Sequence, residues 1–215
     1  MKKSVFIGIT ISLCLVLLLS VVSAGWFSDL FKGRGVTGNV VNLDDGLVAH
    51  YAGSDFTDSS ANGNNILNCE GHCPSLSDNG KIGDAAEFNG VEDYVQAPDV
   101  AGFEFAENSG FALVAWVNSD SSKVTQALFN KRYRYTDINS QYYATISNNV
   151  GTIAFGTYDG SYHTVRANFS ADTWQHVVLL RKVNGNMEVY INGVLSGFGE
   201  STTADLGVTD LSLTI

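Results

Sequence analysis

Two apolar runs late in the chain, each followed by an Asn-Gly pair, constrain the fold more than any other feature. The runs are residues 174–182 and 187–192, and the pairs are Asn184-Gly185 and Asn192-Gly193. Asn and Gly adopt positive φ at low cost, so both pairs favour tight β-hairpin turns whose twist suits the flanking strands. Two such turns so close together predict a meander of antiparallel strands.

Strand signals dominate the chain from residue 46 onward. Short runs of β-branched and aromatic residues are separated by glycines, and the whole chain has 22 glycines but only 2 prolines. No window shows a sustained helical period. Many short antiparallel strands predict an all-β fold, an antiparallel two-sheet β-sandwich of the jelly-roll type. The predicted strands are 46–51, 84–89, 92–97, 111–117, 126–131, 142–147, 151–157, 163–169, 174–182 and 187–192.

The pattern within two of these runs predicts how the strands are covered. Residues 111–117 are apolar on both faces, which predicts a central strand covered on both sides. Residues 165–169 alternate between apolar and polar, which predicts one face in solvent.

The first 24 residues have the pattern of a signal peptide. Lys2 and Lys3 precede an apolar stretch, and Val22-Ser23-Ala24 offers the small residues of a cleavage site. A membrane anchor is the alternative, because about 20 apolar residues can cross a bilayer. Both interpretations export the rest of the chain and predict a secreted or cell-surface protein. The glycine-rich residues 25–42 predict a flexible linker, and residues 43–215 then form one domain.

The charge balance limits the partners. The chain carries a net charge of −10, and removal of Lys2 and Lys3 leaves 10 basic against 22 acidic residues, or −12. Nucleic acids and anionic membrane surfaces both require a cationic footprint. The sequence therefore predicts no nucleic-acid partner and no membrane contact beyond a possible N-terminal anchor.

Two cysteines lie outside the leader, in Cys69-Glu70-Gly71-His72-Cys73. A close pair in an exported chain favours a disulfide. The alternative is a metal site formed by Cys69, His72 and Cys73, but three ligands without a fourth are a weak zinc signal.

Several segments resemble, in the same order, those of the laminin-G-like, concanavalin A-type jelly-roll family. The hairpin carries "W-x-H-V" at Trp174 and "Y-x-N-G" at Tyr190, and residues 86–95 resemble the family's "F-D/N-G-x-D-D-Y-V". The resemblance implies the jelly-roll fold and favours a binding module over an enzyme, although one fold carries many functions. The other matching segments are 46–51, 58–65 and 110–117.

The same resemblance implies that the domain lacks its final strand. Family members continue to a "G-x-I-D-E-V-R-I-Y" strand, and nothing of that pattern is present before Ile215. That strand normally lies beside the opening one, so we expect a C-terminally truncated domain in which residues 47–51 lose a neighbour.

Asp58, Asn62, Asn64 and Asn65 form the candidate metal site. They supply oxygen ligands of the kind that calcium prefers, and the resemblance implies a structural calcium in this loop, with a further acidic ligand from the absent strand. The alternative is an Asx-rich turn whose side chains bind its own backbone.

Tyrosines and arginines form the candidate ligand site, because their side chains suit sugars and protein interfaces alike. Tyr143 is expected only to pack on its strand. A separate pattern, Asn168-Phe169-Ser170, predicts a glycosylation site at Asn168. The candidate ligand residues are Arg132, Tyr133, Arg134, Tyr135, Tyr158 and Tyr162.

Catalysis is not expected. Glucanases that share the fold carry a paired-carboxylate "E-x-D-x-x-E" pattern, and the nearest carboxylates here, Glu104 and Glu107, have a different spacing. The sequence therefore predicts an exported, non-catalytic binding module that recognises a glycan. A protein-protein adhesion module and a fragment of a larger glycan-active enzyme or surface protein are the alternatives.

Overall fold

The computed structural model describes residues 5–8, 46–53, 55–66, 68–123, 125–131, 141–201, 203–207 and 210–215. Within these ranges the chain is all-β, with one 3₁₀ turn at Ala101–Phe103. The strands are β1 Val5–Gly8, β2 Ser75–Ser77, β3 Ala85–Phe88, β4 Phe111–Asn118, β5 Thr125–Lys131, β6 Tyr142–Ser147, β7 Thr152–Tyr158, β8 Tyr162–Asn168, β9 Gln175–Arg181, β10 Asn186–Ile191 and β11 Val194–Glu200.

The strands form two antiparallel sheets, which confirms the predicted sandwich. The seven-stranded sheet has the order β11-β10-β9-β4-β1-β3-β2, and the four-stranded sheet has the order β5-β6-β7-β8. The late meander is β9-β10-β11, and its turns hold positive φ at Gly185, Asn192 and Gly193. Both Asn-Gly pairs therefore lie in the tight turns that the sequence predicts.

Residues 213–215 extend the four-stranded sheet beyond β5. Asn130 and Thr214 exchange two backbone hydrogen bonds, of 2.8 and 2.9 Å. On its other side this segment bonds Val95 and Ala97, and Gln96 in turn bonds Asn68. The predicted strand 92–97 is thus present as this short pairing rather than as a regular strand.

An aromatic cluster joins the two sheets at the core. Phe111 on β4 packs on Phe105 with ring centroids 4.0 Å apart, and it contacts Tyr142 on β6 at 5.1 Å. Phe155 on β7 meets Phe111 edge to face at 6.0 Å. Strands β3 to β10 supply this core largely from alternate positions, and their intervening residues form the outer faces of the sandwich.

The opening strand predicted at 46–51 is not a regular strand. Only Tyr51 forms a bridge, to Asp58. The carbonyls of Leu47 and Val48 instead accept hydrogen bonds from the Asn62 and Asn64 side chains. Side-chain hydrogen bonds thus stand at residues 47–48 where a strand would have ladder bonds.

The gap beside β4 is filled by Val5–Gly8, which belongs to the predicted leader. This segment pairs antiparallel with β3 and with the end of β4. The remainder of the predicted leader and the whole predicted linker, residues 25–42, lie outside the described residues. Loss of the leader would leave an open slot between β3 and β4. The C-terminal truncation, with residues 47–51 losing a neighbour, stays a prediction.

β11 closes one side of the sandwich against β8. A Cβ atom at Gly197 would lie 2.6 Å from the carbonyl oxygen of Arg166, and one at Gly199 would lie 2.6 Å from Cγ2 of Val165. The two glycines therefore allow the edges of the two sheets to approach closely.

Gly197→Ala should lower the melting temperature, because the added methyl group meets backbone that cannot rotate away. Overpacking of this kind costs about 1–3 kcal/mol. Ser196→Ala, an exposed neighbour on the same strand, is the control and should leave thermal unfolding unchanged. Equal melting temperatures for both variants would show that the two edges are not in close contact.

Candidate functional site

The candidate ligand residues converge on one end of the four-stranded sheet. β5 ends at Lys131, which pairs with Tyr142 at the start of β6. The β7–β8 turn lies at the same end, because Tyr142 pairs with Thr157 and Tyr158 pairs with Tyr162. Residues 132–140, with Arg132, Tyr133, Arg134 and Tyr135, connect β5 to β6 here but lie outside the described residues.

Tyr158 and Tyr162 form a ring pair at this end. Their centroids lie 4.7 Å apart with a 50° angle between the planes, and both residues face away from the core. Within the turn, the carboxylate of Asp159 accepts a hydrogen bond from the Ser161 amide at 3.1 Å and lies 3.1 Å from Nε2 of His163. The turn therefore holds the two tyrosines at a fixed spacing.

Buried donors lie beneath this end of the sandwich. Arg181 is fully buried and donates to the carbonyls of Ser109 and Ala204, at 2.8 and 2.9 Å. Gln141 donates to the carbonyl of Gly207. In the same way Lys131 donates to the carbonyl of Leu211. These three donors hold the crossover, which we define as residues 203–207 and 210–212, between the two sheets.

Glu104 belongs to the same buried cluster. Its carboxylate lies 2.9 Å from Nζ of Lys131 and accepts a hydrogen bond from Gln141. Glu107 is exposed and bonds Asn108 at 3.3 Å. The two carboxylates nearest to a glucanase pattern are thus a structural ion-pair partner and a surface side chain.

The Asp58 loop is closed by its own hydrogen bonds. Oδ1 of Asp58 accepts from the backbone amides of His50 and Ser60, each at 2.8 Å. Oδ2 accepts from the Ser60 hydroxyl at 2.8 Å and from the Asn64 amide at 2.7 Å. The side chains of Asn62 and Asn64 bind residues 47–48, and Asn65 accepts from the Asp58 amide. The arrangement is that of an Asx-rich turn.

These hydrogen bonds also set the charge of Asp58. Burial of the carboxylate raises its pKa, but the bonds from His50, Ser60 and Asn64 outweigh burial, and the pKa lies below 3.8. Hydrogen atoms point at both oxygens, where a calcium ion would need lone pairs. The residues as arranged therefore do not fit calcium, and the calcium site stays a prediction that requires the loop to rearrange.

The two remaining sites have simple surroundings. Cys69 and Cys73 form a disulfide with Cα atoms 4.9 Å apart, which confirms the predicted pair and leaves no thiolate for a metal. His72, the third candidate zinc ligand, instead lies 3.4 Å from a Glu92 oxygen. Asn168 is exposed at the end of β8, and its glycosylation stays a prediction.

Two negative findings concern only the described ranges. They contain no group of three or more His, Cys, Asp or Glu side chains placed to hold a metal ion. None of their helices is long and apolar enough to cross a membrane.

Sequence reasoning missed the burial of Lys131, Gln141 and Arg181 and the position of Tyr143. Charged residues at strand ends normally face solvent, so nothing local marks Lys131 and Arg181 as buried. Tyr143 lies opposite Gly156 on the outer face. Only the strand register, which the sequence does not specify, could have revealed that pair.

Comparisons with known proteins agree with this fold. A family profile described as the concanavalin A-like lectin/glucanases superfamily matches residues 89–215. No curated protein matches the chain in sequence.

Solved structures with the same fold include toxin binding domains. The binding domain of Paraclostridial Mosquitocidal Protein 1 has a TM-score of 0.60 and 14% identity over 74% of this chain. A botulinum neurotoxin type C structure has a TM-score of 0.58 and 17% identity over 81%. The serotype G binding domain has a TM-score of 0.54 and 14% identity over 74%. This chain spans 40, 43 and 42% of those three chains.

Asp58→Ala should destabilise the domain at neutral pH, because four donors lose their acceptor. Each buried donor left without a partner costs about 1–3 kcal/mol. Because folding lowers the pKa of Asp58, its contribution is present above the unfolded value of 3.8 and disappears as pH falls through the folded value. In urea unfolding, the difference in the free energy of unfolding between wild type and variant should therefore decrease only in acid.

Asp55→Ala is the control, because Asp55 is exposed and accepts a hydrogen bond from the Thr57 amide. A difference in the free energy of unfolding between wild type and Asp58→Ala that is independent of pH would contradict the role given to the carboxylate. The same samples test calcium: an increase in melting temperature with calcium that Asp58→Ala abolishes would confirm the calcium site.

Proposed function

Because the chain belongs to the concanavalin A-like lectin/glucanase superfamily, we propose that it is an exported, non-catalytic module that binds carbohydrate at the cell exterior. The observation that carries the proposal is the outward-facing ring pair of Tyr158 and Tyr162, with centroids 4.7 Å apart. Tyrosine rings present apolar faces to the C–H groups of a sugar and hydroxyls to its polar groups.

The proposed site also includes the segment of the chain that joins β5 to β6. Residues 132–140 leave β5 and enter β6 beside the ring pair, because the Tyr158 amide bonds the Gln141 carbonyl at 2.9 Å. Arg132, Tyr133, Arg134 and Tyr135 would then add planar donors and further rings to the same end of the sheet. Guanidinium groups donate hydrogen bonds in a fixed geometry that suits the hydroxyls of glycans.

The structural relatives support binding rather than a particular ligand. Those reported above are binding domains of toxins or a toxin structure, and entry of botulinum neurotoxin type C into cells depends on interaction with two ganglioside molecules. At these identities the likeness concerns the fold, so the glycan assignment for this chain rests on its own tyrosines.

Absence of catalysis is part of the proposal. A retaining glycosidase needs two carboxylates about 5 Å apart beside the bond that is cleaved. Glu104 is paired with Lys131 at 2.9 Å beneath the surface, and Asp159 is occupied by His163 and the Ser161 amide. These two carboxylates thus support structure.

A specific observation favours protein adhesion as the second candidate. β11 forms one margin of the seven-stranded sheet and exposes three large apolar residues. Val194, Leu195 and Phe198 are 65, 50 and 57% exposed. Exposed apolar side chains grouped on one strand are a feature of protein interaction sites.

A glycan array distinguishes the two candidates when it is combined with two variants. We expect the chain to bind a subset of glycans, Tyr158→Ala to abolish that binding, and Phe198→Ser to leave it intact. The bound glycans should remain uncleaved on long incubation, as chromatography would show.

Three results would contradict the proposal. Binding only to a protease-sensitive surface component, lost in Phe198→Ser, would establish adhesion instead. Release of reducing sugar would establish an enzyme. Retention of glycan binding by Tyr158→Ala would place the site elsewhere.

A further inference from the structure

The outer face of the four-stranded sheet carries a flat aromatic surface next to the ring pair. Tyr143 on β6 lies opposite Gly156 on β7. A Cβ atom at Gly156 would lie 2.3 Å from Cζ of Tyr143, so the ring rests directly on the glycine. The Tyr143 hydroxyl lies 2.7 Å from the hydroxyl of Thr164 on β8. The ring therefore reaches from β6 across β7 to β8 and lies along the sheet.

Tyr162 bounds this flat surface on one side. Its ring plane is inclined 75° to that of Tyr143, with centroids 6.3 Å apart. Tyr162 is 46% exposed, and its contact with Tyr158 supports it. The two nearly perpendicular rings form a floor and a wall, which we call the Tyr143–Tyr162 corner.

We propose that the Tyr143–Tyr162 corner is the subsite that holds a neutral hexopyranose ring. This inference rests on the proposed carbohydrate function and specifies where one sugar unit sits. A pyranose presents a face of C–H groups that matches a flat aromatic floor, while its equatorial hydroxyls project sideways. Thr164 and Arg166 follow Tyr162 on the same face of β8 and supply donors for those hydroxyls.

The charge of the surroundings favours a neutral sugar. The chain carries a net charge of −10, and Asp159 lies within the turn that joins Tyr158 to Tyr162. Arg166 is the exposed cation named on this face, and one positive charge does not offset that balance for a heavily sulfated or polyuronic glycan. A neutral hexopyranose suffers no such penalty.

Stability alone does not test this subsite, because a ring that covers a glycine on the next strand also stabilises a sheet. The discriminating pair is Tyr143→Phe, which keeps a flat ring on Gly156, and Tyr143→Leu, which covers the glycine with an aliphatic group. If Tyr143 is only structural, both variants should keep sugar binding. If its ring stacks on the sugar, only Tyr143→Phe should keep it.

The experiment is an NMR titration of the full chain with methyl β-D-galactopyranoside and methyl β-D-glucopyranoside. We expect at least one probe to bind. Tyr143→Leu and Tyr162→Ala should weaken it about ten-fold, and Tyr143→Phe should stay close to wild type. Gly156→Ala should resemble Tyr143→Leu, because the new methyl group displaces the ring. Tyr94→Ala, a tyrosine outside the corner, is the matched control, and thermal unfolding confirms that each variant is folded.

Two results would overturn the subsite, and they differ in what else they overturn. Wild-type affinity in both Tyr143→Leu and Tyr162→Ala, together with glycan binding on the array, would refute the corner and leave the proposed function standing. If wild type binds neither probe and no glycan on the array, both the corner and the carbohydrate function are wrong.

Discussion

The buried ion pair between Lys131 and Glu104 is the interaction on which the functional end of this sandwich depends. Lys131 is fully buried, so its charge requires a partner, and Glu104 supplies one at 2.9 Å. Together with Gln141 and Arg181, Lys131 holds the carbonyls of the crossover. These hydrogen bonds help to place residues 213–215 between β5 and residues 95–97, where they extend the four-stranded sheet.

The geometry of the outer face of the four-stranded sheet depends on this arrangement. β5 is the neighbour of β6, and the register of β6 against β7 sets Tyr143 over Gly156. Any one-residue slip would turn Tyr143 inward and Tyr142 outward. Because Tyr142 is fully buried against Phe105 and Phe111, the core opposes that slip. Core packing and surface presentation are therefore coupled through two adjacent tyrosines.

Much of the fold was predictable because local patterns determine it. The Asn-Gly turns specify the late meander, and the apolar run at 111–117 correctly predicts a central strand. The predicted cover on both sides holds in part: on the outer face Val114 is 2% exposed, and Ala112 and Trp116 are half-buried. The prediction of a regular opening strand was wrong. Asn62 and Asn64 hold the carbonyls of residues 47–48, and this long-range contact has no local signal.

The site was predictable only in part, for the same reason. Tyr158 and Tyr162 flank a short turn, so their proximity follows from a hairpin. Tyr143 was expected only to pack, and its place over Gly156 emerges when β6 and β7 are paired. The leader pattern also gives no hint that Val5–Gly8 would pair with β3 and β4.

The most direct test of this account is a map of amide chemical shifts in the wild-type chain on addition of the glycan that the array selects. The account predicts that perturbed amides cluster at Tyr143, Gly156, Tyr158, Tyr162 and Thr164. Perturbations centred on the Asp58 loop or on β11 would show that the outer face of the four-stranded sheet is not the binding surface.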